Sequence, residues 1–451
     1  MLGVGIYLTP RLVAQQVDSP ALYLLLWSFG GLVALAGAVA YAELGAMFPR
    51  AGGDYVYLRR AFGSSVGVAS GWLLFAGVFA GSIATIAVAI GEYQLPVAIS
   101  GWTSIQFNAA SIDWPSLGIS ASWAQLAAVV LVLVLSAINS LGVQLSIRTQ
   151  IAVTLVPLLT CFVFSLFALV TAQPPTLEMG SSTSIETSVT MTTAFLGIYF
   201  AYAGWNAVGY VAGEVRNPAR NIPLGLLGGT LLIALLYLVM NGAFIALIGL
   251  PGLANTPEAG TAAVTLLLGE QARVPVAWLI GSSMLGSLNA TMLGGSRIVA
   301  AMAQDGILPR TLGKLSPRTG VPVRAIWVQA TLGMLLIVSG VFDALIELTG
   351  IAMMAMGGLT VCALFVLRRR AKDQPRPYRA TGYPWLPSIY LLSVISVISM
   401  QIWRVFHSAA GSQRWFPLLG IAAFVVLLSG HHLWLRSRAH LEHSDQPQRF
   451  E

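Results

Sequence analysis

Charge is what this sequence has least of. Only 9% of its 451 residues are Asp, Glu, Lys or Arg, against roughly a quarter in an ordinary soluble domain, so a water-soluble globular protein is excluded. Cysteine is nearly absent. Cys161 and Cys362 are the two, both inside apolar runs, and they make no disulfide framework unless they meet each other. Lysine is confined to Lys314 and Lys372. The short alternating segments of a membrane β-barrel are missing, as are a soluble domain, a low-complexity stretch and the charged n-region that opens a cleavable signal peptide. Reaction chemistry is equally thin: there is no nucleophile with its base, no metal motif and no pair of carboxylates at workable spacing. The histidines His431, His432, His440 and His443 follow no HExxH pattern. The chain therefore reads as a non-enzyme that needs neither cofactor nor metal.

What is present is apolar length. The sequence is 56% hydrophobic with a mean hydropathy of +0.78. Runs long enough to cross a hydrocarbon core of about 30 Å as helix recur near 21–46, 66–93, 122–141, 145–172, 188–213, 223–249, 275–303, 322–340, 342–367, 387–409 and 415–435. These are eleven full spans behind an opening fragment, which predicts an all-α integral membrane protein of twelve spans. The net charge of +7 is topological. With the turn after the second span placed in the cytoplasm, Arg11, Arg273, Arg404 and Arg414 alone fall outside and Arg297 lies within a span, while every other Arg and Lys falls inside. That distribution removes nucleic acid as the reason for the charge, makes the lipid bilayer the surrounding partner and puts the C-terminus in the cytoplasm. The run RRRAKDQPRPYR at 368–379 reads as a cytoplasmic anchor touching anionic lipid.

Two spans are interrupted. The first is the opening, GVGIYLTP, and the second is FAYAGWNAVGYVAGEVRNP at 200–218. Helix breaks in hydrocarbon are tolerated only where they are buried in protein or line a cavity, and breaks in corresponding positions of two halves point to a transporter's binding site. Spans one and six lie five apart, as an inverted repeat of five helices requires. The amphipathic pieces AGGDYVYLRRAF (51–62) and AGTAAVTLLLGEQAR (259–273) sit at matching places on opposite faces. The predicted organisation is a first repeat at 1–172, a second at 188–367, two additional spans at 387–435 and a tail at 436–451.

GVGIYLTP, AELGAMFPRAGGDYVYLRRAFG (42–63), FAYAGWNAVGYVAGEVRNPARNIP (200–223) and GSLNATMLGGSRIVAAMAQDGILP (286–309) together resemble the amino acid–polyamine–organocation family. Within it the chain is most similar to the L-type amino-acid transporters and their bacterial relatives. The resemblance implies a five-plus-five inverted-repeat fold with spans one and six unwound, alternating access, and a bacterial inner-membrane location. It also implies a half-helix ahead of the first glycine motif. Only Met1 and Leu2 precede Gly3, so either the true start lies upstream of an internal methionine or half of a binding helix is missing. In either case the first span is incomplete as it stands.

A zwitterionic substrate needs donors for its carboxylate and acceptors for its ammonium. Free N–H groups at a helix start supply the donors, which assigns Val4, Gly5 and Ile6, with Gly3 and Gly5 allowing close approach and positive φ. Close packing by small residues is the alternative reading of the glycines. A dinucleotide fingerprint fails, because Leu8 stands where its third glycine belongs. Freed carbonyls around Phe200, Ala201 and Ala203 supply the acceptors. The resemblance makes Phe200 the gate over the substrate and puts Trp205 and Asn206 at the pocket wall. Glu43 and Arg297 occupy motif positions of inner-gate or packing pairs. Glu347 is either a protonatable coupling group or a solvated one. Many members of the family carry a lysine in the fifth span that stands in for sodium; here the position falls on Pro157 or Thr154, so that mechanism is excluded. Ser283 and Ser287 remain candidates for sodium or for bonds to their own backbone. Neutral amino acids are the expected substrates. A carrier of polyamines or cationic amino acids, and a sensor that binds without flux, stay open. No loop cysteine offers a disulfide to an accessory chain.

Overall fold

An apolar run placed in hydrocarbon satisfies its backbone only as helix or closed barrel, and helix is what these runs form. The structure, a computed structural model, describes residues 2–100, 111–114, 119–171, 185–340, 342–407 and 422–432. Its helices are α1 (Val4–Ala14), α2 (Pro20–Met47), α3 (Asp54–Phe62), α4 (Ser64–Ile99), α5 (Trp123–Ser140), α6 (Val143–Thr171), α7 (Ile185–Tyr202), α8 (Ala207–Tyr210), α9 (Pro218–Ile248), α10 (Ala259–Leu268), α11 (Arg273–Gln304), α12 (Val323–Val338), α13 (Phe342–Arg370), α14 (Trp385–His407) and α15 (Ala422–His432). Eight stretches among the described residues are long and apolar enough to cross a membrane. The protein is an all-helical, multi-pass membrane protein. Among the described residues the one departure is a hairpin of β1 (Ser111–Trp114) and β2 (Ile119–Ser122), paired antiparallel with Ser111 opposite Ser122. No periodicity in the sequence announces it.

Helix ends follow local chemistry. Ser19 caps α2 by accepting from the Leu22 N–H, with Pro20 at the first helical position. Ser122 and Gln125 form a reciprocal capping box at the start of α5. Apolar side chains cover the outer faces, as a lipid solvent permits: Val156, Val163 and Val170 of α6 are 58%, 64% and 84% exposed. The core is aromatic and small together, with Tyr7, Tyr23, Trp27, Tyr41, Tyr57, Tyr202 and Tyr237 fully buried among alanines. Trp27 meets Tyr237 edge-on at 5.9 Å, a favoured arrangement. Both cysteines are free thiols, and Cys161 is hydrogen-bonded to the Tyr7 hydroxyl at 3.3 Å.

α4 is not a uniform helix. It contains π-helical turns at Leu73–Phe79 and Ile90–Gln94, a device found most often where a helix borders a functional site. The first turn aims Leu74, Val78 and Phe79 at the interior cavity.

Ion pairs gather at the end of the bundle that carries most of the arginines. Asp305, just past α11, is hydrogen-bonded by Arg50 at 2.8 Å and by the Tyr55 hydroxyl at 2.8 Å, and it pairs with Arg59. Burial alone would raise its carboxyl, but these three donors override that and hold it below the usual carboxylate range. Glu43, fully buried on α2, is gripped by Arg368, whose Nε lies 3.0 Å from one oxygen, and by the Ala380 N–H at 2.7 Å; Arg376 Nε stands 3.3 Å away. Arg368 and Arg376 of the 368–379 run are thus turned to Glu43, while Arg369, Arg370, Lys372 and Arg379 stay exposed. A carboxylate removed from water needs counter-charge, and Arg368 and Arg376 are committed to supplying it.

Candidate functional site

The start of α1 and the turn after α7, the two places singled out in the sequence, meet at one cavity. α1 begins at Val4 after Gly3, whose backbone is extended at φ −172°, so the first N–H groups of α1 have no partner within the helix. α7 ends at Tyr202, and a turn through Ala203–Asn206 leads into α8. Gly204 takes φ +91° in that turn, which an L side chain rarely adopts. A Cβ on Gly5 would come within 2.3 Å of the Ala201 Cα, and one on Gly3 within 2.2 Å of the Ser287 Oγ. Gly3 and Gly5 therefore do not provide left-handed backbone, as the sequence reading held. They are glycine because α7 and α11 approach too closely for any side chain.

A cavity of about 130 Å³ opens at this junction, close to the roughly 150 Å³ that admits a benzene ring in a protein core. Gly3, Val4 and Gly5 line it from α1, and Phe200, Ala201, Ala203, Trp205 and Asn206 from the second break. α4, α11 and α13 complete the wall with Phe79, Ile86, Ser287, Thr291, Met353 and Met356. Ile6 is fully buried and its side chain is not part of the lining. Trp205 is held edge-on to Tyr41 at 4.7 Å and to Tyr390 at 5.9 Å. The expected acceptors are partly engaged: the Phe200 carbonyl accepts from the Ala203 N–H at 3.0 Å and the Ala201 carbonyl from the Tyr237 hydroxyl at 3.2 Å. A carbonyl has two lone pairs, so each retains one.

The Ser283 and Ser287 hydroxyls do not turn back on their own helix. Both hydroxyls donate to the Leu2 carbonyl, at 3.2 and 2.9 Å, tying α11 to the start of α1. Pro157 lies within α6. Thr154 accepts from Gln150 at 2.9 Å, at the end of a neutral relay in which Asn139 donates to Asn289 and Asn289 to Gln150, each at 2.9 Å. Arg297, 3% exposed, pairs with Glu214 beyond α8 at 2.9 Å, so both motif charges, Glu43 and Arg297, are in ion pairs, though not with each other. The Glu347 side chain lies outside the described residues.

Asp54 is the residue that sequence reasoning missed. It stands at the start of α3, yet it lines the cavity and is only 1% exposed. Tyr41 and Tyr210 donate to it, as do Thr360 at 2.6 Å and the Asn206 amide at 3.4 Å; that amide also donates to the Tyr210 hydroxyl at 3.2 Å. Burial raises its carboxyl above the usual range, against the pull of those donors. The available signal was an acid directly after Gly52–Gly53: that backbone reaches the second break, where the Gly52 N–H donates to the Tyr210 carbonyl at 3.0 Å.

A multi-pass helical bundle with a buried cavity where two helices break is built as a solute carrier. The amino acid permease model matches residues 1–428, and the chain belongs to that family. It is 27% identical over 434 residues to the cystine/glutamate transporter of Pongo abelii, covering 95% of this chain and 82% of that one. It is 25% identical over 409 residues to the b(0,+)-type amino acid transporter 1 of Mus musculus, covering 89% and 80%. With the large neutral amino acids transporter small subunit 2 of Mus musculus it shares 26% over 415 residues, covering 89% and 74%. The activity of the family is amino acid transport, and its members are transporters rather than enzymes.

Proposed function

We propose that the protein moves neutral, zwitterionic amino acids by alternating access, as an exchanger, with the substrate held between the two helix breaks. The observation that carries this reading is the convergence on one cavity of the α1 helix start with the carbonyls of the α7–α8 turn. The N–H groups of Val4, Gly5 and Ile6 receive the carboxylate at the positive end of the α1 dipole. The spare lone pairs around Phe200, Ala201 and Ala203 receive the ammonium. Phe200 closes over the bound molecule, and Trp205 and Asn206 form the wall.

Twelve spans follow, built as repeats at 1–172 and 188–367 with two further spans at 387–435 and a tail at 436–451. The basic end of the bundle faces the cytoplasm of a plasma membrane, C-terminus included. No disulfide-linked accessory chain is needed. Neutral substrates are favoured over polyamines because the cavity's one carboxylate, Asp54, already accepts four donors, the full capacity of its lone pairs.

The test is uptake of labelled leucine into proteoliposomes loaded or unloaded with unlabelled leucine. Saturable uptake by loaded vesicles alone is expected, abolished by Gly5→Leu, whose side chain has no room beside Ala201. Saturable binding without flux in either preparation would establish a sensor instead. Neither binding nor flux would overturn the reading.

A further inference from the structure

We propose that Asp54 is a proton site. Ionised, it latches the second half of the broken helix to the inner helices; protonated, it releases that latch. This rests on the transport reading above and adds its control.

The carboxylate is where separate elements meet. One oxygen accepts from Tyr41 of α2 and Thr360 of α13, the other from Tyr210 and Asn206 of the second break. All four donors are neutral. Among the described residues no Lys, Arg or His nitrogen lies within ion-pair distance, 4.0 Å, of Asp54. The titratable groups facing it are Tyr41 of α2, Tyr57 of α3, Tyr199 of α7, Tyr210 of α8 and Tyr390 of α14, none of which ionises near neutrality.

An anion held by neutral donors differs from the carboxylates at the basic end. Glu43 and Asp305 are paired with arginines, whereas nothing but hydrogen bonds opposes protonation of Asp54. Its burial acts in the same direction, raising its carboxyl. The proton comes from water in the cavity that Asp54 lines. Once bound, one oxygen becomes a hydroxyl donor. Four donors then face a group with one acceptor position fewer; the hydroxyls of Tyr41, Tyr210 and Thr360 can turn to accept from the new O–H, but the Asn206 amide nitrogen can only donate, so its bond is the one lost. All four bonds join α3 to other elements, and Asn206 lies in the second break, so the second break is what comes loose.

The experiment uses the full chain, and two independent readouts separate this inference from the transport reading. In the first, leucine exchange in proteoliposomes is followed from about pH 5 to about pH 8. Wild-type exchange is expected to rise as pH falls, along the titration of a single group. Asp54→Asn, a neutral carboxamide, is expected to be pH-independent at or above the acid-limit rate. Tyr210→Phe removes a donor that favours the ionised form, and its midpoint is expected to move up by about one pH unit. In the second, infrared difference spectra are recorded between the same pH limits. A protonated-carboxyl band is expected in wild type, shifted in midpoint in Tyr210→Phe and absent in Asp54→Asn. If Asp54→Asn fails to fold, the Tyr210→Phe shift decides in both readouts. Exchange whose pH profile is the same in all three chains overturns the latch and leaves the transport reading intact. Absence of exchange in every chain overturns the transport reading, and the infrared titration still decides whether Asp54 takes a proton.

Discussion

Gly5 and Ala201 touch backbone to backbone: a Cβ on Gly5 would sit 2.3 Å from the Ala201 Cα. The two interrupted helices are thus in contact at the level of the cavity, and the contact leaves no room for a methyl group. Gly5→Ala is expected to push α1 away from α7, destabilising the protein by about 1–3 kcal/mol and lowering substrate affinity. Gly5→Leu is expected to abolish binding. Thermal unfolding with and without leucine, beside uptake, checks both; an alanine variant with wild-type affinity would remove the close approach from the account.

Phe200 has a different role to test. It lines the cavity, and as a gate it contributes to holding the substrate rather than to the fold. Phe200→Ala is expected to speed release of bound leucine about tenfold or more while Phe200→Tyr stays near wild type, since a ring of similar volume closes the same opening. Release rates from preloaded protein would show this.

Arg297 sits in a spanning helix with 3% exposure, and Glu214 is its partner. Removing Glu214 leaves the buried Arg297 uncompensated, so Glu214→Met is expected to destabilise by about 3 kcal/mol, whereas Glu214→Met combined with Arg297→Met recovers a large part of that loss. Unfolding midpoints of the two singles and the double close the cycle.

Acid should loosen the arginine-rich end. Asp305 is held below its ordinary value by Arg50, Tyr55 and Arg59 despite its burial. A carboxyl depressed by folding stabilises the protein above its unfolded value, about 3.9, and that stability is lost as pH falls through the lower folded value. Asp305→Asn is therefore expected to be less stable than wild type at neutral pH, with the gap narrowing below about pH 4. Unfolding measured across that range provides the check; a constant gap would mean that the ion pairs are not responsible.

Much of this could be read from residue order. Long apolar runs specify helices, and the interruptions at Gly3–Gly5 and Ala203–Asn206 stood out because a gap in hydrocarbon demands an explanation. What could not be read depended on the third dimension. The π-helical turn at Leu73–Phe79 leaves no mark in composition. The commitment of Arg368 to Glu43 joins residues far apart in the chain, so the basic run looked like a surface feature. Asp54 was hidden in the same way: in the sequence it begins an amphipathic piece, and only the approach of Gly52 to Tyr210 carries it into the cavity. Gly3 and Gly5 were read for close approach and for positive φ, and only the first applies, because a small residue and a left-handed residue look alike in one dimension.

The central claim is that two helix breaks recognise the two charges of one zwitterion, and a competition panel tests it most directly. Uptake of labelled leucine into leucine-loaded proteoliposomes is measured against unlabelled leucine, its decarboxylated amine and its deaminated acid. Inhibition by leucine alone is the expected result. An amine that competes as well as leucine would mean that the α1 helix start does not hold a carboxylate, and would contradict the account.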